Sequence, residues 1–179
     1  VLESLRERYT ALGKAEWWWL MDDSVEALAV ELRSRSFAVL DGFVEPHDVA
    51  ALRAEARGAE AAGLLSPGGL AGGTDGKALQ YSNAAVRGDL VGWFDGKEDH
   101  GPTHAWKSMP RMLQKVDTLV AEVGRHVPEV GEVCNRSKCM VTCYPGGGAR
   151  YVRHCDNPDG NGRRLTALLY LNEGWSKGD

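Results

Sequence analysis

Met140-Val141-Thr142-Cys143-Tyr144-Pro145-Gly146-Gly147-Gly148-Ala149-Arg150-Tyr151-Val152-Arg153-His154-Cys155-Asp156 is the stretch on which the fold turns. Met140 to Tyr144 carries β-branched and aromatic side chains and predicts a strand, with Pro145 to Gly148 as a turn. Tyr151 to Asp156 reads as a second extended stretch. In extended backbone, side chains two apart share a face, so His154 and Asp156 can offer a ring nitrogen and a carboxylate oxygen to one metal ion. Two such ligands with one further histidine make the facial triad of non-haem iron oxygenases, which leaves positions open for cosubstrate and oxygen. Taken alone, the His-x-Asp spacing is weak and common, and a solvated His and Asp on a surface strand is the better account of it.

Downstream, Asn157 to Gly162 is a loop, and Leu165 to Leu171 is a nearly unbroken apolar strand. Upstream, Asp23 and Glu26 have capping-box spacing, and Val25, Leu28, Ala29 and Leu32 follow at helical intervals, predicting a helix over 24–35. Phe37 to Leu40, closed by Asp41-Gly42, reads as a buried strand and turn. Pro46 suits the first turn of another helix, with Val49, Leu52 and Ala56 on one face and Gly63 as its stop. The glycine-rich Leu65 to Gly76 predicts a loop, and Lys77 to Asp89 a hairpin or finger at the surface. Pro110 opens a third helix with Met112, Leu113, Val116, Leu119, Val120 and Val123 as its buried stripe. Helices first and strands afterwards make an α+β chain, with helices buttressing one face of a sheet.

The 179 residues are 43% apolar, enough for one domain with a core. A formal charge of −4 and a pI near 5.8 argue against nucleic acid or an anionic membrane as partner. No apolar run approaches the roughly 20 residues of a membrane span. The chain opens on Val1 rather than Met, and both ends read as cut. Cys134, Cys139, Cys143 and Cys155 form no C-x-x-C pair and read as reduced thiols of a cytoplasmic or nuclear protein. A zinc site from Cys139, Cys143, His154 and Cys155 fits poorly, because these positions differ in strand parity. Trp17-Trp18-Trp19 is expected to pack an N-terminal helix on the domain, with a partner-binding patch as the other reading. His47, His100, His104 and His126 read as surface residues.

Arg136 to Gly146 and Tyr151 to Pro158, with Gly162-Arg163 and the run ending Tyr170-Leu171-Asn172, resemble the hypoxia-inducible-factor prolyl hydroxylase family. Val86-Arg87-Gly88-Asp89, Trp93 and Gly96-Lys97-Glu98 are similar to that family too. The resemblance runs from about Ser24 to the last residue and is densest after Arg136. It implies a double-stranded β-helix (a jelly roll, cupin-like) with buttressing N-terminal helices and its last strands absent. Residues 1–131 would carry the helices, first strands and substrate finger, and 132–179 the first half of the dioxygenase domain.

The resemblance further implies that His154 and Asp156 are iron ligands and catalytic. Tyr144 and Tyr170 would flank 2-oxoglutarate, with Tyr170 bonded to its distal carboxylate and Met140 and Leu168 lining the pocket. Tyr151 and Arg163 would meet the substrate proline, and Asp89 would pair with Arg163. By periodicity alone, core packing is the better account of Leu168 and Tyr170. Arg163 and Asp89 could equally be solvated loop charges. The implied activity is hydroxylation of a peptidyl proline at C4, using Fe(II), 2-oxoglutarate, O2 and L-ascorbate. A proline-containing protein or peptide is the implied partner, without nucleic acid or membrane, and a monomer is the expected state. The family also needs a second histidine and an arginine far downstream, and every histidine here other than His154 precedes it. The chain by itself is therefore expected to be inactive, and a non-catalytic peptide-binding module is the alternative reading. Oxygen sensing is the role that the family implies.

Overall fold

The computed structural model describes residues 1–72, 79–81, 83–156, 160 and 162–174. The parts of the glycine-rich loop, the finger and the 157–162 loop that fall at 73–78, 82, 157–159 and 161 lie outside them. Four helices precede or flank a small antiparallel sheet: α1 (Leu2–Ala11), α2 (Asp22–Arg35), α3 (Pro46–Ala61) and α4 (Met109–His126). The strands are β1 (Ser66–Pro67), β2 (Leu70–Gly72), β3 (Leu79–Tyr81), β4 (Leu90–Phe94) and β5 (Cys139–Cys143). β4 is central in a three-stranded sheet of order β1-β4-β5, while β2 and β3 form a separate hairpin. Mixed helix and antiparallel sheet is thus the observed class. No described helix is long and apolar enough to cross a membrane.

Helix ends follow local chemistry, with two exceptions. α3 begins on Pro46, whose missing N–H costs nothing at that position, and stops at Gly63. Gly63 takes φ +70°, its N–H bonds Glu60 O, and Leu64 N–H reaches back to Ala59 O, the paired bonds of a Schellman stop. α2 starts two residues earlier than the capping-box spacing predicts. Its N-cap is Met21, which makes no side-chain cap. The Asp23 carboxylate is drawn instead to α1, where Arg8 and the Tyr9 hydroxyl donate to it. The start of α4 is capped from another helix: Glu55 of α3 accepts from the N–H groups of Lys107, Ser108 and Met109 at 2.6–3.1 Å.

Two clusters make the core. Trp18 and Trp19 are fully buried with Leu2, Leu28, Ala29, Val123, Val127 and Val130. Their indole N–H groups donate to the carbonyls of Gly42 and Glu16, so the tryptophan run packs the N-terminal helices as expected. The second cluster is Val44, Leu52, Ala59, Phe94, Trp106, Met109 and Leu113. α4 serves both, with Val123 in the first and Met109 and Leu113 in the second.

Three expectations need correction. Phe37 to Leu40 is not a buried strand: Ala38 and Leu40 pack on the core while Phe37 and Val39 are more than half exposed. The segment pairs with no described strand, so it has no ladder. Leu165 to Leu171 likewise joins no ladder among the described residues, although its period-two burial survives: Leu169 and Leu171 face the core, Leu168 and Tyr170 do not. His104 is not a surface residue. It is 6% exposed, its ring meets Trp106 edge-on at 4.3 Å, and its Nε2 has no hydrogen-bond partner. His100 beside it is half-buried.

Burial, aided by His100, pushes the His104 pKa down. Its folded value lies below its unfolded one, so unfolding takes up a proton and stability falls as pH drops below about 6.5. Urea midpoints from pH 8 to 5 should therefore decline less steeply in His104→Phe than in the wild type. Equal slopes would contradict the burial argument.

The Asp95–Glu98 turn carries an opposite-sign case. Burial would raise the Glu98 pKa, but Lys138 Nζ at 2.8 Å and the N–H of Asp95 outweigh it and hold the carboxyl down at about 2. Its stabilisation is complete above about pH 4.3 and is lost as pH falls towards 2. Glu98→Gln should cost about 1–2 kcal/mol at neutral pH, the value of charge-assisted hydrogen bonds, and close to nothing at pH 2. A cost that does not change with pH would refute this.

Candidate active site

One face of the β4–β5 pair is covered by the second core cluster. Phe94 lies on that side, and Cys139 and Val141 pack beneath it. The ladder puts Trp93 opposite Met140 and Val91 opposite Thr142 on the other face, where Trp93 is 48% and Met140 38% exposed. The open face carries the candidate site. β4 was not foreseen as a strand, although Leu90-Val91-Gly92-Trp93-Phe94 is apolar and bounded by Asp89 and Asp95-Gly96. Gly92 is required there, because a Cβ would stand 2.4 Å from the Phe94 ring.

After β5 the chain turns through Gly146, Gly147 and Gly148, all at positive φ, and returns beside the residues that precede β4. Gly88 N–H bonds Arg150 O at 2.9 Å, Val152 N–H bonds Val86 O at 3.0 Å, and Arg87 and Tyr151 form an antiparallel bridge. Only this one bridge of the predicted second extended stretch is realised. It is enough to lay Tyr151 to Asp156 against the mouth of the open face.

His154 and Asp156 meet there, with Nε2 3.1 Å from Oδ1 and both side chains a little over one-third exposed. His154 Nδ1 lies 2.9 Å from Val152 O. A carbonyl can only accept, so Nδ1 carries the proton and Nε2 of a neutral ring has a bare lone pair aimed at a carboxylate oxygen. Two lone pairs at that distance repel unless a proton or a cation lies between them. Two cis ligands with bonds of about 2.1 Å, as for a first-row divalent ion, stand about 3 Å apart. The donor set and spacing fit such an ion. Asp156 is braced for it: the Thr166 hydroxyl donates to Oδ2 at 2.8 Å, and Arg163 Nη1 lies 3.3 Å from the same oxygen. Thr166 first, with Arg163 and His154 adding, holds this carboxyl below the usual carboxylate range. Among the described residues, no cluster of three or more His, Cys, Asp or Glu is grouped to hold a metal. All four cysteines are free, and Cys143 Sγ donates to Glu60.

Met140, Tyr144, Tyr151 and Arg163 gather near this face, and one expectation needs correction. Asp89 does not pair with Arg163. It is 2% exposed and is gripped by Arg87, whose Nε and Nη2 stand 2.7 and 3.1 Å from its two oxygens. Arg163 turns to Asp156 instead. Asp89 is also no solvated loop charge. Arg87 went unassigned in the sequence, although Arg87-Gly88-Asp89 puts its charge two residues from that of Asp89, on the same side of an extended chain. Its guanidinium reaches Met140 Sδ at 3.3 Å and lies over the Tyr151 ring. The Tyr144 phenol is within electrostatic reach of Asp89, Arg87, Tyr151 and Tyr170, and burial, then Asp89, pushes its pKa up. Leu168 and Tyr170 are 71% and 76% exposed, so the core-packing account of these two positions is overturned. They alternate with the inward-facing Leu169 and Leu171 and fall in step with Thr166.

No family model matches the chain. It is similar to human prolyl hydroxylase EGLN3, with 39% identity over 113 residues that cover 63% of this chain and 43% of that protein. Human Egl nine homolog 1 is 35% identical over 105 residues, 57% of this chain and 23% of that protein. The hypoxia-inducible factor prolyl hydroxylase of Caenorhabditis elegans is 28% identical over 144 residues, 80% of this chain and 19% of that protein. The chain thus spans less than half the length of these curated relatives. Among solved structures, a prolyl hydroxylase in complex with a hypoxia inducible factor oxygen degradation domain peptide fragment, from Trichoplax adhaerens, matches with a TM-score of 0.73 and 28% identity. That match covers 89% of this chain and 67% of the other. Likeness in sequence and in fold agree: over the stretch that it spans, the chain is similar to hypoxia-inducible-factor prolyl hydroxylases.

Proposed function

We propose that the complete gene product is an Fe(II)- and 2-oxoglutarate-dependent peptidyl-proline 4-dioxygenase, and that these residues supply two of its three iron ligands. The observation that carries this reading is Nε2 of His154 facing Oδ1 of Asp156 at 3.1 Å, with a carbonyl behind the one and a hydroxyl behind the other. Outer partners of this kind fix ligand orientation and are part of a metal site. The third ligand, the arginine for the distal carboxylate and the last strands of a jelly roll would come from elsewhere in the gene product.

Iron with 2-oxoglutarate and O2 would supply the oxidant for a C–H bond, the cosubstrate being split to succinate and CO2, with ascorbate keeping the metal reduced. The chain's own residues bind and orient. Tyr144 and Tyr170 stand as phenol donors for a dicarboxylate, and the raised pKa of Tyr144 keeps its proton in place at physiological pH. Met140 and Leu168 give the cosubstrate an apolar wall. Tyr151 and Arg163 would meet a proline-bearing peptide, and the β2–β3 hairpin would hold it. Asp89 contributes by fixing Arg87. The peptide in the Trichoplax adhaerens complex supports a peptide substrate and, by the same likeness, an oxygen-sensing role, while the free cysteines support a place in cytoplasm or nucleus.

A second reading, a non-catalytic peptide-binding module, is favoured by one fact: no third ligand joins His154 and Asp156 among the described residues. Iron titration of the complete gene product separates the two. The enzyme reading expects a 2-oxoglutarate-dependent absorbance band and proline-dependent succinate formation, the latter lost by more than about 100-fold in Asp156→Ala, since even outer partners of a metal cost 10–100-fold. Turnover unchanged in Asp156→Ala overturns the assignment. Peptide binding without the band supports the module instead.

A further inference from the structure

We propose that Arg87 is a positioning residue for His154, acting through the ring of Tyr151. The inference rests on the metal reading of His154 and adds to it the element that holds the imidazole in place. Three flat groups are stacked in series. The Arg87 guanidinium carbon lies 4.5 Å from the centroid of the Tyr151 ring, and the Tyr151 and His154 rings are 3.8 Å apart at an interplanar angle of 19°.

The far end of the stack is anchored. Arg87 is 9% exposed and held on several sides: by both oxygens of Asp89, by the carbonyl of Gly69 at 3.4 Å and by Met140 Sδ. Gly68 closes over the pair so tightly that a Cβ there would stand 2.3 Å from Arg87 Nε and 2.6 Å from Asp89 Oδ1. The antiparallel bridge between Arg87 and Tyr151 sets the first two plates in register through the backbone. His154 by contrast is exposed over more than a third of its side chain, on a segment with no ladder of its own. Its hydrogen bond to Val152 O restrains the ring at one edge but leaves its tilt free. The stack removes that freedom, so rigidity passes from a buried ion pair to an exposed ligand. A guanidinium suits this task where an ammonium does not, because it presents a planar face to the ring and a two-pronged edge to the carboxylate together.

Arg87→Lys keeps the charge and a bond to Asp89 but loses the planar face. In the complete gene product without metal, the His154 ring protons should lie upfield in the NMR spectrum because they sit over the Tyr151 ring. That shift should collapse in Arg87→Lys while the far-ultraviolet circular dichroism stays unchanged. Mn(II) affinity, read by competition with a chromophoric chelator, should fall about 10–100-fold, the usual cost of losing an outer partner. Should Arg87→Lys unfold, Tyr151→Leu removes the middle plate without touching the ion pair, and the same loss of affinity is expected. His154 shifts and Mn(II) affinity both unchanged in the folded variant, or affinity unchanged in Tyr151→Leu, overturn the inference. If the wild type binds no Mn(II) while the ring shift still collapses, the metal reading has failed and the stack stands.

Discussion

The buried ion pair of Arg87 and Asp89 stands where the parts of the site meet. Asp89 precedes β4, Gly68 and Gly69 follow β1, Met140 lies on β5, and Tyr151 lies on the returning loop, and Arg87 contacts or adjoins each of them. Taking two charges out of water is expensive, and a buried pair adds little net stability over an apolar substitute. Removing one partner is another matter: the charge left behind costs about 3–5 kcal/mol. Both charges lie on the segment before β4, so losing either side chain strands the other, while Gly69 O, Met140 and Tyr151 close around Arg87. The glycine at 68 is part of the same constraint, because any side chain there would occupy the space of the pair.

From this anchor the site grows outward in exposure. The ion pair is almost fully enclosed, Tyr151 is half-buried, and His154 and Asp156 are open to solvent on one side. Tyr144, Leu168 and Tyr170 border the open face with half or more of their surface exposed. On the proposed function the site would admit a dicarboxylate and a peptide, which needs an open outer rim, and would hold a metal, which needs a fixed inner one. The gradient from enclosed charge to exposed phenol provides both.

α2, α3 and α4 were legible because their signals are local. Pro46, Gly63 and Pro110 act on their own backbones, and apolar residues at three- and four-residue intervals face a core whatever that core is made of. β5 was legible for a similar reason, its β-branched centre running into a Pro-Gly turn. β4 was not, because Gly92 breaks the run of β-formers, and only the close approach of Phe94 explains why a glycine belongs there. Phe37 to Leu40 and Leu165 to Leu171 have strand-like composition, but a strand is completed by a neighbour, and no described edge lies alongside either. Asp23 shows the same limit at a helix cap: Arg8 and Tyr9 of another helix compete for its carboxylate and win. His104 looked like a surface loop residue because nothing local reveals that Trp106 and Gly58 close over it.

In the candidate site, the His154–Asp156 pair was legible from the parity of extended backbone, and the gathering of Tyr144, Tyr151 and Tyr170 from kinship. The partner of Asp89 was not. Kinship pointed to Arg163, whereas the arginine two residues before Asp89 has the shorter path to it, and Arg163 is left to brace Asp156. Leu168 and Tyr170 were ambiguous by periodicity alone, since both faces of the segment are apolar and only the packed structure shows which one meets the core.

On the proposed function, a divalent ion binds at His154 and Asp156. Mn(II) added to the isotope-labelled protein broadens, by its paramagnetism, the amide signals near the place where it binds. Broadening is expected to centre on Cys155, Asp156 and Thr166 and to fade along Tyr151 towards Arg87. Broadening centred on His100 and His104, or on Cys139 and Cys143, with residues 151–156 left sharp, would contradict it.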